Sequence, residues 1–239
     1  MSSISEHHHD HAGHHHHDGI HDYAQANREH YNKDAERMEM DEQAKKLAHR
    51  TVQAILKQYP GLLNEDTTSV LDFACGTGLV SRELAPHVKS ILGVDVSQKA
   101  VDIYNERVAN QGIPPDEMRA VCVELKGEPE ELDGAKFDVI TCAAAYHHFA
   151  SVEDMTRILV SFLKPGGSLI ITDIIKSEQD IVKEEYRHIV AHARGFSEDD
   201  IRNLFENAGL TDFKYAFFTK ATFAGMEISF FIARGTKPV

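Results

Sequence analysis

The sequence predicts an α/β protein built on a doubly wound, mostly parallel sheet of seven strands, closed by an antiparallel pair at the C-terminal end. Three observations predict it. Short apolar runs alternate with amphipathic stretches of helical period from residue 69 onward, the pattern of a sheet covered on both faces. A glycine-rich turn follows the first apolar run, where such sheets open their ligand sites. The link between the last two β-rich runs is too short for a crossover helix, so those two strands pair antiparallel.

The first 22 residues stand outside that pattern. Nine are histidine: His7, His8, His9, His11, His14, His15, His16, His17 and His21. Such a segment has little apolar surface to bury. Its imidazoles suit weak chelation of zinc, nickel or copper, or it is only a solvated tail. Residues 23–62 read as an N-terminal helical cap. Between Asn27 and Tyr59 the apolar positions Ala44, Leu47, Ala48, Val52, Ile55 and Leu56 recur at steps of three and four, and Pro60-Gly61 ends the helix. The more polar part, Tyr31 to Met40, reads as a separate helix. Residues 63–239 form the main domain.

Within it, Ser69 to Phe73 is a buried strand and Gly78 to Ala85 a helix stopped by Pro86. Ser90 to Val94 is the second strand. A helix follows from Ser97 to Asn110, with Val101, Tyr104 and Val108 on one face and Gly112 past its end. Arg119 to Glu124 and Phe137 to Cys142 are strands, and the acidic loop Glu128 to Asp133 between them reads as solvated. Ser151 and Asp154 make a capping-box start for a helix to Leu163. Lys164-Pro165-Gly166-Gly167 turns into a strand from Ser168 to Asp173. Helices are predicted to start at Ser177 and Ser197, each with an aspartate three residues on. The strands Thr211 to Lys220 and Met226 to Ala233 close the chain.

Composition narrows the function. The formal net charge is −13, which disfavours a nucleic-acid surface or an anionic membrane. No apolar run approaches the roughly 18 residues of a membrane span, and the N-terminal stretch lacks a signal-peptide core. Cys75, Cys122 and Cys142 are odd in number and lack metal-ligand spacing, so no metal site is predicted and a reducing, cytoplasmic setting fits. Nothing in the pattern fixes an oligomeric state.

The chemistry concentrates in Val70-Leu71-Asp72-Phe73-Ala74-Cys75-Gly76-Thr77-Gly78. Glycines there allow positive φ and close approach of a ligand to the backbone, and the helix beyond offers free N–H groups. A second strand ends in Asp95, 19 residues after Gly76, placed to accept hydrogen bonds from ribose hydroxyls. A dinucleotide site wants a third glycine, where this chain has Ser81. Asp72 would also repel a pyrophosphate, whereas it favours a ligand carrying an ammonium and a sulfonium.

With these residues in place, the sequence resembles the class I S-adenosylmethionine (SAM)-dependent methyltransferases, particularly the small-molecule branch similar to the ubiquinone/menaquinone type. The resemblance covers roughly residues 70–234. It rests on VLDFACGTG (70–78), GVDVS (93–97), FDVITCAAAYHHF (137–149), LKPGGSLIITD (163–173) and GFSEDDIRNLFENAGL (195–210). It implies a Rossmann-like methyltransferase fold, SAM as cofactor and a small-molecule acceptor. By that resemblance Asp72 faces the methionine ammonium, while Ala74, Gly76 and Gly78 line the methionine and sugar. Asp95 holds the ribose and Val96 packs on adenine. Glu124 either faces the adenine amino group or is a solvated loop acid, with Leu125 following through its backbone. Ala143 borders the methionine moiety. Where many relatives carry a phenylalanine and then a Tyr-Asp pair, this chain has Tyr31 and then Met38-Glu39; Tyr31 itself helps cover the pocket.

His147 and His148 follow the fourth strand beside the expected methyl. They read as base or substrate contact, or else as packing against the sheet. Cys75 reads as a small filler rather than a nucleophile. The substrate wall is predicted from the helix before Pro60 and from residues 174–196, which hold Tyr186, His188, His192 and a surface Arg194. Two other classes stay open. A protein methyltransferase is one, although Ala143-Ala144-Ala145-Tyr146 is unlike the Asn-Pro-Pro-Tyr segment of amide- and adenine-modifying types. A non-catalytic SAM-binding subunit is the other.

Overall fold

The computed structural model describes residues 22–223 and 225–239; the His-rich tail up to His21 lies outside them. Seven strands run β1 (Ser69–Phe73), β2 (Ser90–Asp95), β3 (Met118–Cys122), β4 (Phe137–Ala143), β5 (Leu163–Ile174), β6 (Thr211–Phe223) and β7 (Met226–Thr236). They form one sheet in the order β3-β2-β1-β4-β5-β7-β6. The first five are parallel; β7 is antiparallel to β5, and β6 to β7. The strand order reverses between β1 and β4, and an open sheet of this kind binds ligands at that switch, beyond the strands' carboxyl ends.

Alternate residues of each strand feed different cores. Leu71, Phe73, Ile140, Cys142, Leu169 and Ile171 join the core beneath α5 (Val152–Ser161) and α6 (Glu198–Asn207). Val70, Val139, Ile170 and Ile91 join the other, beneath α2 (Glu42–Gln58) and α4 (Gln98–Asn110). This period of two with both faces buried is why the strands read as continuous apolar runs. The short helix α3 (Leu79–Leu84) leads from the glycine turn and ends in a 3-10 turn through Pro86.

The N-terminal cap divides as its change in polarity predicts, and α1 (Tyr23–Met40) starts earlier than the sequence suggests because the Asp22 carboxylate caps it at Gln25 N (2.9 Å). Asp41 ends α1 and starts α2, accepting from Gln43 N (2.7 Å) and Ala44 N (3.3 Å). The buried residues of α1 are Asn27, Ala35 and Glu39, so polar contacts dominate its docking.

Four expectations need correction. No helix forms at Ser177: its hydroxyl accepts from Gln179 N in a local turn, and the Asp180 carboxylate, needed for a capping box, is taken by Arg187 and Arg194. Residues 174–196 hold only a 3-10 turn, Glu184–Tyr186. Strand β3 stops at Cys122, so Glu124 lies past its end. The loop at Glu128 to Asp133 is organised rather than merely solvated, because the Glu131 carboxylate accepts from the backbone N–H of Lys126, Gly127 and Glu128. Strand β5 begins at Leu163, with a register break between the Phe137–Leu163 and Val139–Ser168 pairs that absorbs the Pro-Gly-Gly turn. The helix at Ser197 has both halves of its capping box. No helix among the described residues is long and apolar enough to cross a membrane.

Candidate active site

The site lies at the carboxyl ends of β1, β2, β4 and β5. Two alanines directly after strands take positive φ there, Ala74 at 55° and Ala144 at 52°. A side chain in that region costs backbone strain, which persists where a surrounding site fixes it. Gly76 (φ 53°) and Gly78 (φ 85°) continue the turn after Ala74. A Cβ on Gly78 would sit 2.5 Å from the Tyr104 ring, so only glycine lets the turn lie on α4.

Two buried carboxylates flank that turn. Asp72 Oδ2 accepts from Ser81 Oγ at 2.5 Å and Oδ1 from Thr141 Oγ1 at 3.1 Å. Burial pushes its pKa up to about 6, against those hydroxyl hydrogen bonds, and the Asp95 charge adds to the rise. Asp95 Oδ2 accepts from Gly76 N and Oδ1 from Ser97 N, both at 2.8 Å. Burial raises its pKa too, opposed by backbone hydrogen bonds. The donors holding these acids are therefore neutral hydroxyls and N–H groups. Val96, half-buried, follows Asp95, and its carbonyl accepts from Cys122 Sγ. Burial also pushes the Cys75 thiol far up, which fits a filler and not a nucleophile.

Helix α1 lies over these strand ends. Asn32 Oδ1 accepts from Ser97 Oγ (2.9 Å) and Lys99 N (3.1 Å) at the start of α4. Arg28 pairs with Glu124 at 2.8 Å, which places that acid beneath α1 at the β3 edge, half-exposed. Leu125 beside it is buried in the α5/α6 core. Asn27 Nδ2 donates to the Ile189 carbonyl at 3.0 Å.

Beyond β4 the chain passes Ala143, paired with Thr172, and makes one 3-10 turn, Tyr146–His148. The two imidazoles stack at 4.2 Å between centroids but sit in different settings. His148 Nδ1 is 2.6 Å from the Ile189 carbonyl, which can only accept, so Nδ1 carries the proton. Its Nε2 then accepts from the Tyr31 hydroxyl at 2.9 Å. Burial lowers the His148 pKa to about 3, helped by the His147 charge, so the ring is neutral with both nitrogens engaged. Burial raises the Tyr31 phenol, which stays a hydroxyl.

His147 Nδ1 lies 2.7 Å from Asp173 Oδ1 at the end of β5. Asp173 is fully buried and also accepts from Ile174 N (2.7 Å) and His147 N (3.3 Å). Burial would raise its pKa, but the His147 charge and these hydrogen bonds hold it below the ordinary value. A carboxylate on Nδ1 fixes the tautomer and leaves Nε2 as the basic nitrogen, the division of labour in hydrolase triads.

The structure thus brings together Asp72, Ala74, Gly76, Gly78, Asp95, Val96, Ala143, His147 and His148 around the switch point, while Glu124 and Leu125 sit at its β3 side. Sequence reasoning missed Asp173, Asn32, Arg28 and Thr141. Asp173 had a usable signal: like Asp72 and Asp95, it is an acid at the carboxyl end of a buried strand. The described residues contain no group of three or more His, Cys, Asp or Glu able to hold a metal ion.

Known proteins resemble this chain in sequence and in fold. A family model described as a methyltransferase domain matches residues 40–214. An uncharacterized methyltransferase of Schizosaccharomyces pombe is 40% identical over 152 residues, 60% of this chain and 54% of that protein. A ubiquinone biosynthesis O-methyltransferase of Coxiella burnetii is 31% identical over 105 residues, 44% of this chain and 43% of that protein. The chain spans about half the length of these relatives. The crystal structure of magnesium protoporphyrin IX methyltransferase from Synechocystis PCC 6803 with bound SAH shares the fold at a TM-score of 0.65, with 19% identity, covering 90% of this chain and 100% of that one.

Proposed function

The chain belongs to the methyltransferase-domain family, and on that premise we propose that it transfers the methyl group of SAM to a hydroxyl oxygen of a small-molecule acceptor, with His147 as general base. The observation that carries this reading is the 2.7 Å contact of His147 Nδ1 with the fully buried Asp173 carboxylate. An amine that is already neutral needs no base; a hydroxyl must lose its proton as it attacks.

The residues present suit the cofactor. Asp72 and Asp95 are buried acids held by neutral donors, so an ammonium and a pair of ribose hydroxyls complete them. The backbone of Ala74, Gly76 and Gly78 would line the methionine and sugar, Val96 the adenine, Ala143 the methionine. Glu124 would face the adenine amino group once released from Arg28. SAM, when bound, supplies a methyl already activated on a sulfonium, so the protein's work is alignment and removal of one proton.

His147 performs the second task. Its Nε2 takes the acceptor proton as the new O–C bond forms, and the electron pair of the broken C–S bond stays on sulfur. Asp173 stabilises the resulting imidazolium, which is why it must be ionised. His148 is a positioning residue in this reading: neutral and saturated at both nitrogens, it joins Tyr31 of α1 to Ile189 of the 174–196 wall. The test is turnover by His147→Gln and Asp173→Asn. Each should keep SAM affinity and lose about 10²–10⁴-fold in kcat. Wild-type-like kcat in either variant would remove the base from the mechanism.

A further inference from the structure

Under the α1–α2 junction lies a cavity of about 350 Å³, lined by Glu39, Lys45, Leu79, Arg82, Glu83 and Arg107. It takes no part in the site described above. Lys45, Arg82 and Arg107 face Glu39 and Glu83 across it. Lys45 is paired with Glu42 (2.9 Å) and Glu83 with His49 (2.8 Å). Arg82 and Arg107 share one carboxylate oxygen, Glu39 Oε1, at 3.2 and 2.8 Å. Two guanidiniums thus share one carboxylate oxygen, and neither has another ion-pair partner among the described residues.

Glu39 adds a second mismatch. It is 3% exposed, and its Oε2 has no hydrogen-bond partner among the described residues. A buried acceptor in that state asks for a donor, and rotation about the soft terminal torsion of glutamate turns either oxygen toward the cavity. A ligand that completes the site carries anionic oxygens for the two guanidiniums and an O–H for the carboxylate. Planar guanidiniums favour phosphate oxygens. We infer that this cavity is a binding site for a protonated phosphate, either inorganic phosphate or the phosphate of a small monoester.

The carboxylate makes the inference sharp, because it should reject an oxyanion that has no proton to donate. Sulfate has the size and charge of phosphate but carries no proton near neutral pH. The full chain, in phosphate-free buffer with a chelator to keep metals off the histidine tail, is titrated calorimetrically with inorganic phosphate, sulfate and glycerol phosphate. Saturable phosphate binding is expected, with sulfate weaker by about tenfold or more. Glu39→Gln, which offers an N–H where the carboxylate was, should abolish that preference. Arg107→Ala, with an unchanged melting curve, should weaken phosphate by about tenfold. Glycerol phosphate tighter than phosphate identifies a monoester as the ligand; equal or weaker binding identifies inorganic phosphate. The inference is overturned by no saturable phosphate binding up to about 10 mM, well beyond the millimolar range of weak sites, or by sulfate and phosphate binding alike. An Arg107→Ala protein that folds and binds phosphate normally also overturns it. Should Arg107→Ala fail to fold, the wild-type and Glu39→Gln anion preferences decide.

Discussion

Replacing Asp72 by asparagine should make the cofactor-free protein more stable while destroying its affinity for SAM. Asp72 is 1% exposed, and burial raises its pKa from 3.8 to about 6. A carboxyl whose folded pKa lies above its unfolded one favours folding in its protonated form. That contribution is complete below pH 3.8 and is lost as pH rises through about 6. At about 1.36 kcal/mol per pKa unit, the folded state carries a penalty of about 3 kcal/mol at pH 7 and roughly half that at pH 5. Asparagine removes the charge at constant shape. Its carboxamide oxygen accepts from one of the hydroxyls of Ser81 and Thr141, and its N–H donates to the other, since a hydroxyl both donates and accepts. The gain at pH 7 is therefore up to about 3 kcal/mol, or about 6–12 °C in Tm for a domain of this size. Differential scanning calorimetry of both proteins at pH 7 and pH 5 measures it. The gain should shrink by about half at the lower pH. A variant less stable than wild type at pH 7, by an amount that does not change at pH 5, would show that burial is not the dominant influence on Asp72.

Two further substitutions probe the geometry around the site. Tyr31→Phe leaves His148 Nε2 without its donor and should cost about 1–3 kcal/mol by thermal melting; with an acceptor in hand it should raise KM more than it lowers kcat, as follows from the proposed positioning role of His148. Equal losses in kcat and kcat/KM with unchanged KM would instead place Tyr31 in the chemical step. Gly78→Ala puts a Cβ 2.5 Å from the Tyr104 ring at a φ of 85° and should destabilise by about 2–4 kcal/mol. A melting temperature within a degree of wild type would show that the turn is not tightly seated on α4.

The sheet was legible because its strands are buried on both faces and so read as apolar runs, with Asp72 and Asp95 near the ends of β1 and β2 and a glycine turn after the first. The turn half of the candidate site was legible for the same reason: its residues sit in one contiguous turn and one acid at a fixed spacing. The histidine half of the candidate site was legible only in part. His147 and His148 are adjacent and look equivalent in sequence, and what separates them is remote: Asp173 lies 26 residues on and Ile189 lies 41. The polar seal by α1 was hidden as well, because Arg28 and Asn32 find Glu124 and Ser97 across 96 and 65 residues. Helix prediction failed at Ser177 because a capping box is read locally, whereas Asp180 is claimed by arginines 7 and 14 residues away.

Calorimetric titration of wild type and Asp95→Ala with SAM, with NAD as control, tests whether the Asp72–Asp95 turn holds SAM. Saturable SAM binding is expected, none for NAD, and affinity lower by at least about tenfold in the variant, since Asp95 fixes Gly76 and would offer buried acceptors to the ribose. Unchanged SAM affinity in a folded Asp95→Ala protein, or NAD binding in the wild type, would contradict that expectation.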